Sequence, residues 1–128
     1  MNRVVLDASA LIALLNQEPG ADQLGPEVLS QAVASTVNLA EVQGKLVDGG
    51  LPADKAWFAT LKSVREAVAF AAEHARTAGS LITKTRSSGL SLGDRACLAL
   101  AIELNAPVYT ADRSWKNLKL GIPIHVIR

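Results

Sequence analysis

Apolar positions along the chain switch repeatedly between a strand-like and a helix-like period. Residues 3–6 form a short apolar run that ends on Asp7, and residues 8–15 then carry apolar side chains at helical spacing up to a Glu18-Pro19-Gly20 turn. A second strand is expected over 32–36. A helix follows over 38–47, with Leu39, Val42 and Leu46 facing a core and Gly49-Gly50 as its stop. Pro52 opens another helix, on which Trp57, Leu61 and Val64 recur at helical period with Phe58 beside them. Residues 67–70 suit either a third strand or more helix. Residues 71–84 read as helix up to Ser87-Ser88-Gly89, and 91–104 as a helix ended by Asn105 and Pro107. The segment PVYTAD is β-rich, a turn of helix is expected over 113–118, and IPIHVI is a last strand.

Strands alternating with helices predict an α/β fold in three layers, α/β/α, around a central, mainly parallel sheet of about four to five strands joined by right-handed crossovers. No repeat, low-complexity tract or long linker divides the chain, so residues 1–128 are expected to form one domain. Hydrophobic residues make up 49% and charged residues 20%, which excludes a disordered chain. Thirteen basic against twelve acidic residues leave a net charge of +1, so an anionic partner has to be held by local patches. The single Cys97, within RACLALAIEL, reads as a core thiol. The first apolar stretch carries an acid and is too short to cross a bilayer, so neither a signal peptide nor membrane attachment is expected, and a cytoplasmic location follows.

In sheets of this kind a site forms beyond the carboxyl ends of the strands. Asp7 ends the first strand, Glu41 is expected in the first turn of the helix after the second, Asp94 in the first turn of the 91–104 helix, and Asp112 after the fourth strand. Each also suits a local role. Asp7 and Asp112 stand where a helix N-cap belongs, Ser91 and Asp94 have capping-box spacing with Asn38 and Glu41 as a looser relative, and Glu41 has Lys45 one turn on. Capping does not require four acids from separate segments to meet at one edge, whereas a metal site does. Four clustered carboxylates repel, and a divalent cation removes the conflict. With oxygen donors and neither Cys nor His adjacent to the acids, Mg²⁺ or Mn²⁺ fits better than zinc. His74 and His125 are expected to have packing or surface roles.

Taken in order, VVLDASALIALL, STVNLAEV, LSLGDRACLALA and PVYTADRSWKNL resemble the PIN-domain ribonucleases, in particular VapC-type toxins of toxin-antitoxin pairs, over nearly the whole chain. The resemblance implies a PIN-like fold and an acidic metal site of Asp7, Glu41, Asp94 and Asp112, with Ser9 and Thr110 in support and Asn38 at a position that is sometimes polar. It further implies a metal-dependent endoribonuclease, RNA as substrate, an antitoxin that sits at the acidic cleft, and a homodimer. No family motif falls in the stretch from about residue 51 to 89.

An acidic pocket needs flanking cations to hold RNA, and Lys84, Arg86, Arg95, Arg113, Lys116 and Lys119 lie near the C-terminal acid motifs as either phosphate contacts or solvated helix charges. Trp115 suits packing better than base stacking. The apolar sets Leu11, Ile12, Leu14, Leu15 and Trp57, Phe58, Leu61 suggest a partner groove, or helices covered on both sides. Two rival readings are a phosphoacceptor receiver domain and a catalytically silent module with the same fold. The receiver would need paired acids near the first strand and a lysine after the last, which Asp7-Ala8-Ser9 and IPIHVIR do not supply.

Overall fold

The computed structural model describes residues 2–128. Five short strands, β1 (Val4–Leu6), β2 (Ala32–Ser35), β3 (Glu66–Val68), β4 (Val108–Thr110) and β5 (Ile124–Val126), form one sheet in the order β3-β2-β1-β4-β5, and every pairing is parallel. Helices α1 (Ala8–Leu15), α2 (Pro26–Leu29), α3 (Thr36–Asp48), α4 (Ala53–Lys62), α5 (Ala72–Ser80), α6 (Ile82–Thr85) and α7 (Leu92–Leu104) complete the expected three layers.

Alternate residues of each strand serve opposite faces of the sheet. Val4, Leu6, Ala32 and Ala34 pack with Leu11, Leu39 and Val42 in one core, while Val5, Val33 and Val108 pack with Leu98, Leu100 and Trp115 in the other. Both faces are covered, as parallel sheets require. The chain runs outward from β1 through β2 to β3, then returns to place β4 on the other side of β1. The connections after β1 and β4 leave on opposite faces, since α1 joins the first core and Trp115 the second. A crevice therefore opens between the carboxyl ends of β1 and β4.

The structure corrects the sequence reading mainly between residues 36 and 89. Thr36 begins α3, with the Ser35 side chain as its N-cap, so the looser capping box expected of Asn38 and Glu41 does not form. Residues 66–68 are an edge strand beside β2. Helix α4 buries Ala56 and Thr60, small side chains that allow close approach to α3, and leaves Trp57, Phe58 and Leu61 exposed, so of the two readings of that set the helix covered on both sides does not hold. The 71–84 helix is interrupted: the poor helix formers Gly79 and Ser80 let the chain turn, and Leu81 drops into the second core. Conversely, Leu11 and Ile12 are buried in the protein's own core and Leu14 and Leu15 pack against it, so that set forms no partner groove.

His74 is buried between α5 and α7. Its Nδ1 accepts from the Ala71 amide at 3.2 Å, which leaves Nε2 to donate to Glu103 at 2.5 Å. His125 is exposed on β5. Among the described residues no helix is long and apolar enough to cross a membrane.

Candidate active site

The crevice between β1 and β4 is a cleft of about 400 Å³ whose lining includes all four sequence-predicted acids, Asp7, Glu41, Asp94 and Asp112, with Ser9, Lys45 and Arg128. Four separate segments deliver the acids, and each is held by a local rule. Asp7 follows β1 as the N-cap of α1, its Oδ1 accepting from the Ala10 amide at 2.8 Å. Asp94 closes a capping box with Ser91, accepting from the Ser91 amide at 2.9 Å while Ser91 Oγ accepts from the Asp94 amide at 3.2 Å. Asp112 caps the 3₁₀ turn Arg113–Asn117 through the Ser114 amide at 2.9 Å. Caps of this type each contribute about 1 kcal/mol. The local role and the shared cleft thus coexist in the same side chains.

Asp7 is the most buried of the four and the most heavily bonded. Ser9 Oγ lies 2.8 and 2.9 Å from its two carboxylate oxygens, and Thr110 Oγ1 lies 2.6 Å from Oδ2. The hydroxyl protons have little choice of direction. The Ala111 amide donates to Ser9 Oγ at 2.9 Å and the Asp112 amide to Thr110 Oγ1 at 3.0 Å, so both hydroxyls accept from backbone and turn their protons to Asp7, whose oxygens lie nearer than the 3.2 Å between the hydroxyls themselves. Burial pushes the Asp7 carboxyl up from 3.8 to about 6, a rise that the bonds from Thr110, Ala10 and Ser9 oppose and the charge of Asp94 reinforces.

Glu41 stands in the second turn of α3, since that helix begins at Thr36; the sequence reading put it in the first. Its Oε1 accepts from Asn38 Nδ2 at 2.9 Å, and Nδ2 also donates to the Gly93 carbonyl at 3.0 Å. Asn38 is buried and ties α3 to the start of α7. The expected pairing of Glu41 with Lys45 is not among the ion pairs of the described residues.

The sequence reading did not single out Gly93. A Cβ there would fall on the Glu41 carboxylate, 2.5 Å from Oε1 and 2.6 Å from Cδ. The absent side chain is what lets Glu41 lie against the helix that carries Asp94. The only sequence signal for this was the position of Gly93 immediately before an acid.

The acids share a cleft, yet among the described residues no three His, Cys, Asp or Glu side chains are arranged to hold a metal ion. One oxygen each of Asp94 and Asp112 is engaged at its own helix end, and one of Glu41 with Asn38. Negative charge nevertheless concentrates behind the cleft: Cys97 is fully buried, and its thiol is pushed well up by that burial and then by Asp7, Asp94 and Glu41. Cys97 is the expected core thiol.

The basic candidates separate. Arg95 donates through Nη1 to the Ala78 carbonyl at 2.8 Å and has a buried Nε, a tie between α7 and α5 in place of the phosphate contact expected of it. Arg86 lies on the exposed 3₁₀ turn Arg86–Ser88, and Lys84 borders a shallow cleft with Arg76; neither lines the acidic cleft. Arg113 and Lys116 line a second cleft over β5, and Lys119 is exposed. Trp115 is fully buried and packs, as expected. The cations that do border the acids are Lys45 and Arg128, the latter paired with Glu18, and neither is adjacent in sequence to an acid of the cleft.

No curated protein matches the chain in sequence. In solved structures it is similar to VapBC2 from Rickettsia felis bound to a DNA fragment from their promoter (19% identity, 94% of this chain and 96% of that one, TM-score 0.74). It is also similar to VapC20 of Mycobacterium tuberculosis, a sarcin-ricin loop cleaving toxin (18%, 94% and 98%, TM-score 0.72), and to VapBC-5 of the same organism, a toxin-antitoxin system member (22%, 100% and 99%, TM-score 0.62). The PIN domain family model matches residues 4–120. With that match across four of the five strands and all four acids, the chain belongs to the PIN domain family.

Proposed function

We propose that the protein is a Mg²⁺- or Mn²⁺-dependent endoribonuclease and the toxin of a toxin-antitoxin pair. The observation that carries this reading is the meeting of Asp7, Glu41, Asp94 and Asp112, from four segments, in one cleft at the switch point of the sheet. The structural similarity to VapC20, itself a sarcin-ricin loop cleaving toxin, supports the choice of RNA.

The donor set fits a hard dication. It offers only oxygens, and Asp7, whose carboxyl is raised mainly by burial and further by the charge of Asp94, is the group that a bound cation would hold ionised. Asp7, Asp94 and Glu41 would hold the ion, with Asp112 beside them in the cleft, Asp94 and Asp112 each through the oxygen that their caps leave free. Bound there, the ion supplies charge neutralisation for a phosphodiester and lowers the pKa of water. The chain's own residues position. Ser9 and Thr110 fix the Asp7 oxygens, Asn38 fixes Glu41, and Lys45 offsets part of the repulsion that the acids exert on RNA, Arg128 being paired with Glu18 of the same cleft.

A toxin needs a protein that restrains it, and the VapBC structures similar to this chain are complexes of that kind. Trp57, Phe58 and Leu61, exposed on α4, supply apolar surface for an antitoxin or a second copy.

The test is incubation of purified protein with pooled RNA, with and without Mg²⁺ or Mn²⁺, and mapping of product ends. Cleavage with the ion, leaving a 5′-phosphate and a 3′-hydroxyl, and its loss in Asp7→Asn and Asp94→Asn are expected. Asparagine caps a helix about as well as aspartate but brings no charge to the ion. Unchanged cleavage in both variants would remove the assignment, and absence of cleavage under every condition would favour the silent binding module.

A further inference from the structure

A second cleft, of about 560 Å³, lies over β4 and β5, with Tyr109, Arg113, Lys116, His125 and Arg128 on its walls and neither Asp nor Glu in its lining. It adjoins the acidic cleft on two counts. Arg128 borders both, and Asp112 and Arg113 are consecutive residues that look into different clefts. The 3₁₀ turn capped by Asp112 carries Arg113 and Lys116 together. Arg113 Nε donates to the Arg128 carbonyl at 3.1 Å, which holds the side chain against the end of β5 and leaves both Nη groups for a ligand. Arg128 is ion-paired to Glu18 at 3.1 Å, so Arg113 and Lys116 supply the uncommitted charge.

The floor between these cations is aromatic. Tyr109 and His125 are partners in the register of β4 and β5, and their rings stack with centroids 4.7 Å apart at 25°. His125 is exposed, so a third ring can extend the stack from the solvent side. Cations spaced along a groove beside a stacking platform suit a polymer that alternates phosphates with flat bases. The bases must be unpaired to present their faces, and a duplex hides them. An acidic peptide would use the charges and have no use for the ring pair.

We propose that this groove binds the single-stranded RNA flank leading away from the scissile phosphate, with Arg113 and Lys116 on phosphates and a base stacked on His125. The proposal rests on the nuclease reading for the position of the scissile phosphate, while the binding itself can be measured without cleavage.

The probe is a labelled oligouridylate of about twelve nucleotides, titrated by fluorescence anisotropy in EDTA from about 50 to 200 mM salt. The double variant Arg113→Gln, Lys116→Gln is expected to bind at least about tenfold more weakly and to flatten the slope of log Kd against log salt by about 1.4, two single-strand phosphate contacts. Arg113→Lys retains the slope. His125→Ala weakens binding by at least about fivefold and leaves the slope unchanged, a split that general loss of structure does not produce.

Parent affinity and slope in the double variant would overturn the proposal. So would displacement of the probe by polyglutamate and by unlabelled oligouridylate with equal potency, since that makes the groove a site for acidic protein. Losses as expected, in a protein that cleaves no RNA with Mg²⁺ or Mn²⁺, would uphold the groove while the nuclease reading fails.

Discussion

Thr110, the last residue of β4, donates its hydroxyl proton to Oδ2 of Asp7, the residue that follows β1, across 2.6 Å. This bond lowers the Asp7 carboxyl against the larger effect of burial. Thr110→Val removes the donor and also the acceptor of the Asp112 amide. The expected result is a loss of about 1–2 kcal/mol in stability and about 10- to 100-fold in metal affinity, with the acid limb of the pH–activity profile moved to higher pH. Thr110→Ser should restore the profile. An unmoved limb would show that Thr110 only packs.

The raised Asp7 carboxyl gives metal-free protein a defined pH response. The folded state keeps this proton up to about pH 6, whereas the unfolded chain releases it near 3.8, so the Asp7 contribution is fully present below 3.8 and is lost as pH rises through about 6. Above that range the loss is roughly 3 kcal/mol. Asp7→Asn should therefore be more stable than wild type in EDTA at neutral pH, by up to that amount, and the difference should vanish toward pH 4. Denaturant unfolding of both proteins across this range checks the sign. A variant less stable than wild type at neutral pH would show that the lost hydrogen bonds outweigh the buried charge.

How far the sequence led depends on whether a position is governed by its neighbours in the chain. Asp7, Ser91 with Asp94, and Asp112 follow capping rules written in adjacent residues, and they lie where those rules put them. The alternation of periods gave a mainly parallel sheet of four to five strands, and the five strands pair in parallel throughout. Helix α4 was legible as a helix but not in its orientation: its apolar stripe faces outward, the packing on α3 uses Ala56 and Thr60, and nothing local distinguishes a core stripe from a surface one. Gly93 and the bridging role of Asn38 depend on how α3 meets α7, a relation between distant segments. The same holds for Arg95, whose partner Ala78 is on another helix.

Gly93→Ala tests whether Glu41 needs its place beside α7. The new methyl collides with a carboxylate at the end of a flexible side chain, so Glu41 swings away while the helix gains from alanine. Melting temperature should be unchanged or higher, and cleavage about 10-fold or more lower with weaker metal binding. Full activity would mean that Glu41 does not act from this position.

Asn38→Ala removes the amide that holds Glu41 and the Gly93 carbonyl together. With a buried carbonyl left unpaired, a cost of about 1–3 kcal/mol is expected in thermal or denaturant unfolding. Asn38→Asp should fare worse, since it faces Glu41 and the Gly93 carbonyl with oxygen instead of N–H, and its deficit should shrink when Mn²⁺ is added. A deficit indifferent to Mn²⁺ would confine Asn38 to holding the helices together.

The parting of the chain after β1 and β4 follows from backbone path and buried aliphatic packing. A descendant that lost every carboxylate would keep an open fissure at the same place, ready for other cargo. Chemistry here is a tenant of the architecture, and sequences built on this scaffold are free to exchange one occupant for another without refashioning the walls.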